Sequence, residues 1–205
     1  ACRFMVVTKG YLTGAIACSN SGGNFGPELK FAGYDFVIFE GKAEEPVYLL
    51  IEDDRVEIRP AGSLRGKRVD ETVGLIREEL RQKEGKTDWE VREFRFACIG
   101  PAGENLVRVS SVITDDERHA ARSGVGAVMG SKNLKAVAVK GSKSVTLHDP
   151  KLFKEILFKT WDKTRLAKTT GDTFPTILQN NHLKYLQTYT IISSFPPIRT
   201  SRFFL

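Results

Sequence analysis

The sequence predicts an α+β fold. Three observations lead there. Short apolar or alternating runs outnumber helical stripes, two glycine-rich segments at 19–26 and 122–130 interrupt them, and strands and helices do not alternate as regular βαβ units.

The elements follow in order. Residues 4–7 and 14–18 are apolar or small runs followed by turn residues, so both are expected as short strands. After the first glycine-rich loop, Pro27 suits the first turn of a short helix over 28–32, with Gly33 ending it. Residues 36–39 and 47–51 are continuous apolar runs of the kind buried strands carry. Asp53-Asp54 makes a turn, and Val56-Glu57-Ile58 alternates like a hairpin partner. Asp70 is the expected cap of a helix whose Val73, Ile76 and Leu80 share one face, and Gly85 stops it. Strands are expected at 91–99, 106–113 and 134–139, with no strand over 115–118. Asp149 and Pro150 open a last helix whose stripe of Phe153, Ile156, Leu157 and Trp161 is expected to pack into a core. Residues 171–205 are left unassigned. The expected division is a domain over 1–145, then a helix and tail over 146–205.

With 205 residues, 41% hydrophobic and 27% charged, the chain can bury one sizeable core. It has no apolar run near the ~20 residues a membrane helix needs, so no membrane partner is expected. It opens at Ala1 without Met and without the pattern of a signal peptide, as expected of a truncated or processed start. The net charge of +6 implies either a solvated basic surface or an anionic ligand. Lys and Arg are spread along the chain rather than clustered, which argues against nucleic acid. Cys2, Cys18 and Cys98 form no Cys-x-x-Cys, so they are expected as small buried thiols in a reducing cytoplasm.

The two glycine-rich loops carry the chemistry. Open backbone lets successive N–H groups form a nest for phosphates, and Arg118 and Arg122 add planar, permanently charged forks beside the second loop. Both loops also read as tight turns. Gly124, Gly126 and Gly130 are spaced one residue too long for a dinucleotide fingerprint, and Gly130-Ser131-Lys132 lacks the upstream glycine of a P-loop. No Gly-x-Ser-x-Gly elbow occurs, and His119, His148 and His182 are scattered.

Taken together, several segments resemble the aldehyde:ferredoxin oxidoreductase family. They are Leu12-Thr13-Gly14, Ser19-Asn20-Ser21-Gly22-Gly23, the run from Glu28 to Asp35, and Glu40-Gly41-Lys42. Ile99-Gly100-Pro101-Ala102-Gly103-Glu104-Asn105 and the run from Gly124 to Ala136 continue the match, which covers about residues 3–145. The resemblance implies an α+β domain whose two β-sheets form a base for a bis-pterin cofactor holding tungsten or molybdenum, with Mg2+ bridging the pterin phosphates. It implies that Arg3, Asn20 and Gly22 in the first loop, and Arg118, His119, Ala121 and Arg122 in the second, contact the cofactor. The backbone carbonyls of Asn20 and His119 fall near the magnesium.

Ala121 stands where the family usually has glycine, and it would close the backbone to a ligand only if that position needs positive φ. His119 is a second departure from the family's usual Arg-Ala-Ala-Gly-Arg. The four cysteines of a [4Fe-4S] cluster and the acid–base residues, which the family carries in later domains, are not in this sequence. The resemblance therefore implies a cytoplasmic cofactor-binding domain without catalytic residues of its own, inactive alone. Its whole enzyme would oxidise aldehydes to carboxylic acids, use ferredoxin as acceptor and could form a homodimer; some relatives instead reduce aromatic acyl thioesters. The alternatives are a non-catalytic pterin- or phospholigand-binding module, or an inactive fragment.

Overall fold

In the computed structural model, which describes residues 3–115, 117–169 and 200–204, the chain divides into two compact units with the boundary between Lys143 and Ser144. The first unit begins with an antiparallel ribbon of β1 (Phe4–Lys9) and β2 (Ile16–Ser21), in which Phe4 faces Ser21 and Met5 faces Asn20. Helix α1 (Phe25–Phe31) and strand β3 (Phe36–Glu40) follow. A six-stranded sheet then forms from β4 (Val47–Glu52), β5 (Arg55–Pro60), β6 (Arg95–Cys98), β7 (Val112–Thr114), β8 (Arg118–Ala120) and β9 (Leu134–Lys140), in the order β5-β4-β9-β6-β7-β8. Its β4–β9 pair is parallel and the other pairs are antiparallel. Strand β10 (Thr200–Phe204) lies parallel to β3.

The apolar runs in the central strands are continuous because both sheet faces are covered. On one face, Leu49, Ile51, Ala97, Ile99, Val137 and Val139 pack with Phe25, Ala32 and Tyr34. The alternate residues Tyr48, Leu50, Phe96, Cys98, Ala136 and Ala138 pack on the other face. That second face is closed by Val73, Ile76 and Leu80 of α2 (Val69–Glu84). Burying such side chains stabilises the fold by about 1.5–3 kcal/mol each relative to exposure.

Local chemistry changes four of the expectations. Arg68, not Asp70, occupies the cap of α2, where the Glu71 carboxylate accepts the Arg68 N–H at 2.8 Å; Asp70 lies in the first turn, favoured there by the helix dipole. The expected strand over 91–99 begins instead as helix α3 (Asp88–Glu93). Thr87 and Glu90 cap it reciprocally, and only Arg95–Cys98 is extended. The expected strand over 106–113 shrinks to β7, preceded by helix α4 (Pro101–Glu104) with proline in its first turn. Arg118, the last residue of the stretch 115–118 expected to hold no strand, opens β8, which forms by pairing with β7.

The hairpin β4–β5 carries a charged network on α2. Arg59 donates to Glu57 at 2.6–2.8 Å and to Glu84, while Arg55 reaches Glu84 at 3.1–3.2 Å. The Tyr48 hydroxyl beneath it is pushed up to about 12 by burial.

In the second unit, the Asp149 carboxylate accepts the N–H groups of Lys151 and Leu152, both at 3.0 Å, and so caps α6 (Pro150–Thr169) as expected. Phe153, Ile156, Leu157 and Trp161 are exposed rather than packed, since an amphipathic pattern specifies an apolar face but not what covers it. The expectation left open for 171–205 lies outside the described residues except at β10.

Candidate functional site

The structure brings the two glycine-rich loops together at the end of the β1–β2 ribbon. Along β2, burial alternates: Ala17, Ser19 and Ser21 turn inward while Ile16, Cys18 and Asn20 face out. The inward serines are too polar to be left unpaired there, and both find partners across the molecule. Ser19 Oγ accepts the N–H of Arg122 at 3.0 Å. Ser21 Oγ lies 3.2 Å from Thr114 Oγ1, at the end of β7. Thr114 Oγ1 also sits 3.5 Å from the carbonyls of both Gly22 and Arg118, so its one proton can serve either loop.

A carboxylate completes the clamp. Asp115, at the turn between β7 and β8, accepts the N–H of Asn24 from the first loop. Its Oδ2 passes so close to Gly23 that a Cβ at that position would lie 2.3 Å from it, and Gly23 itself has φ +92°. The positive φ favours glycine there, and any side chain would also have to displace the Asp115 carboxylate.

Seven predicted positions flank this clamp. Arg3 lies just before the Phe4–Ser21 pair and donates through Nη1 to Asn20 Oδ1 at 2.9 Å. Gly22 follows β2, and its carbonyl faces Thr114. Arg118 and His119 are exposed on the edge strand β8, with His119 Nδ1 3.3 Å from Ser111 Oγ. Ala121 has φ −101°, so alanine sits there without strain and the departure from glycine costs no backbone freedom. Arg122 opens a short turn that leads into α5 (Val125–Ser131). Sequence reasoning missed Ser19, Ser21, Thr114 and Asp115, although the period-2 run Ala17-Cys18-Ser19-Asn20-Ser21 already placed both serines on the alanine face.

Arg3, Arg118 and Arg122 are all exposed, and none meets a carboxylate among the described residues. Three permanent positive charges beside open backbone, none paired with a carboxylate among the described residues, suit an anionic ligand rich in phosphate. A pterin phosphate cofactor fits this donor set, and nothing in it calls for a protein ligand to the metal. Among the described residues no three His, Cys, Asp or Glu side chains gather around a common point. No helix among them is long and apolar enough to cross a membrane.

Comparison with known proteins decides the family. Residues 1–141 match the model of the aldehyde ferredoxin oxidoreductase N-terminal domain. The chain belongs to that family. Tungsten-containing aldehyde ferredoxin oxidoreductase of Pyrococcus furiosus is 49% identical over 173 residues, covering 84% of this chain. An aliphatic sulfonate oxidoreductase, WOR-like subunit, of the same organism is 40% identical over 161 residues, or 76% of this chain. Among solved structures, the active site complex BamBC of benzoyl coenzyme A reductase with 1,5-dienoyl-CoA superposes with a TM-score of 0.75 at 39% identity. That match covers 84% of this chain and 25% of the other. The chain spans 27% and 26% of the two Pyrococcus relatives, so it corresponds to the N-terminal part of an aldehyde ferredoxin oxidoreductase-like protein.

Proposed function

We propose that this chain is the cofactor cradle of a tungsten-containing bis-pterin oxidoreductase. The whole protein would take an aldehyde and water to a carboxylic acid, releasing two electrons and two protons. The electrons would leave through a [4Fe-4S] cluster, held by a later part of the protein, to ferredoxin. The observation that carries the reading is the pair of loops locked by Ser19–Arg122 and Ser21–Thr114, with Arg3, Arg118 and Arg122 beside them and none paired with a carboxylate among the described residues.

The bound tungsten–pterin group supplies the redox chemistry. This chain's residues bind and orient it. Arg122 and Arg118 take phosphate oxygens from β8 and the turn after it, and Arg3, steadied by Asn20, takes the pterin from the ribbon side. The backbone carbonyls of Asn20 and His119 would be the oxygen donors to Mg2+, since hard cations prefer oxygen. Aldehyde is favoured over sulfonate as substrate by the higher identity, 49% against 40%. A homodimer of the whole protein is left to direct measurement of its mass in solution.

The test is anaerobic expression of the full-length protein with tungstate, followed by an assay of aldehyde-dependent ferredoxin reduction. Turnover with bound tungsten and pterin supports the reading. Pterin binding without turnover on any aldehyde would make the protein a binding module instead.

A further inference from the structure

A second cleft opens at the rim of the six-stranded sheet and shares no lining residue with the two loops. It follows from the short helix α3. The helix buries Val91, and Phe94 beyond it, in the core, which leaves Trp89 and Arg92, three residues apart, on its outer side. Trp89 is 72% exposed, more than any other aromatic side chain among the described residues. With Arg92, Arg95, Lys140, Glu28 and Glu93 it lines a cleft of 520 Å³. That volume is in the range of small-molecule sites.

The acids of this cleft are already committed. Glu93 pairs with Lys140 at 3.0 Å, and Glu28 accepts the Gly141 N–H at 2.8 Å. Burial alone would lower the Lys140 pKa, but the hydrogen bond and charge of Glu93 outweigh it and hold the ammonium charged. Arg92 meets no carboxylate among the described residues. Arg95 donates from Nη1 only to the Arg92 carbonyl at 3.3 Å, and its Nε–H is enclosed without a partner. An enclosed guanidinium N–H with no acceptor is uncommon and requires an explanation. An indole face left in water beside two guanidinium groups that meet no carboxylate among the described residues has the same chemical explanation: a ligand with both a planar ring and an anionic group.

We propose that this cleft binds a mononucleotide-like ligand, with its base stacked on Trp89 and its phosphates held by Arg92 and Arg95. A bare anion would leave the indole uncovered, and an uncharged ring would leave both guanidinium groups without an anion. Binding makes and breaks no covalent bond, and it does not depend on the pterin reading of the two loops.

The test uses tryptophan fluorescence of the full-length protein, wild type against Trp89→Phe, so that the difference between the two reports Trp89. Titration with ADP is expected to quench Trp89 saturably. Adenosine alone and inorganic phosphate alone should each bind at least about tenfold more weakly than ADP. Arg92→Ala should weaken ADP binding by about tenfold or more, and Arg92→Lys should recover part of the loss. Both positions are exposed, and circular dichroism verifies that the variants fold. The proposal is overturned by any of four results: no saturable quench at millimolar ADP, an unchanged affinity in Arg92→Ala, inorganic phosphate binding as well as ADP, or saturable binding of an oligoglutamate peptide but not of ADP. The last would assign the face to an acidic protein partner.

Discussion

The amide of Arg122 donates to the hydroxyl of Ser19 at 3.0 Å, joining two residues 103 positions apart in the chain. One edge of the cradle is thereby set by the other. Ser19 is fully enclosed, so its hydroxyl has no water to exchange for the bond. Ser19→Ala is expected to cost about 1–2 kcal/mol, because the Arg122 N–H loses its acceptor. Chemical denaturation would show the shift, and an unchanged midpoint would remove Ser19 from the clamp.

Close backbone packing around the second loop predicts opposite signs for two identical changes. A Cβ at Gly124 would lie 2.0 Å from the Arg108 carbonyl oxygen, and Gly124 has φ +68°. Gly124→Ala should therefore destabilise by about 1–3 kcal/mol or more. Gly74, inside α2, has nothing within 4 Å of the same atom. Gly74→Ala should stabilise by about 0.5–1 kcal/mol through helix propensity. Thermal unfolding of both variants would check the pair, and a loss at both positions would refute the packing argument.

Lys135 is buried, and its ammonium donates to the Lys67 carbonyl at 2.8 Å and to the Glu104 carboxylate. Glu104→Ala leaves that charge in the interior without its counterion, a change expected to cost about 3–5 kcal/mol. Replacing both partners together should cost less than the sum of the single changes, which a double-mutant cycle would measure. Strict additivity would mean that the pair is not coupled.

Glu84 gives a pH signature. Burial tends to raise its pKa, yet the hydrogen bonds from Arg59 and Arg55 win and hold it below the ordinary 4.5. A depressed carboxylate contributes stability that is fully present above its ordinary value and is lost as pH falls through the lower, folded one. Wild type and Glu84→Gln should thus differ most near neutrality and converge as pH drops below 4.5. Urea titrations between about pH 6 and about pH 3 would reveal this, and a gap independent of pH would contradict it.

The legible parts of this fold were those with a local cause. The run at 47–51 is continuous because β4 is buried on both faces, whereas the equally apolar run at 36–39 forms a strand that stays partly exposed, and Gly85 marks the end of α2. The expected strand over 91–99 takes in the end of α3 because the alternation of Arg92, Phe94 and Phe96 with Glu93, Arg95 and Ala97 starts there, whereas the cap formed by Thr87 and Glu90, also visible in the sequence, decides for a helix over Asp88–Glu93. Strand β8 has no apolar pattern at all and exists through its pairing with β7. Both glycine-rich loops, and Arg118 and Arg122 beside the second, are legible in the residues themselves. The hydroxyl clamp is hidden because the inward serines of β2 gain a meaning only when partners 93 and 103 positions away in the chain are brought beside them.

The most direct measurement is the tungsten and pterin content of the purified full-length protein, wild type against Arg122→Ala. Arg122 is exposed and its side chain pairs with no acid among the described residues, so its loss should leave the fold intact. A cradle that grips phosphate through this residue predicts cofactor occupancy reduced by about tenfold, with unchanged thermal stability of the cofactor-free protein. Full occupancy in Arg122→Ala would contradict the assignment of these loops to the cofactor.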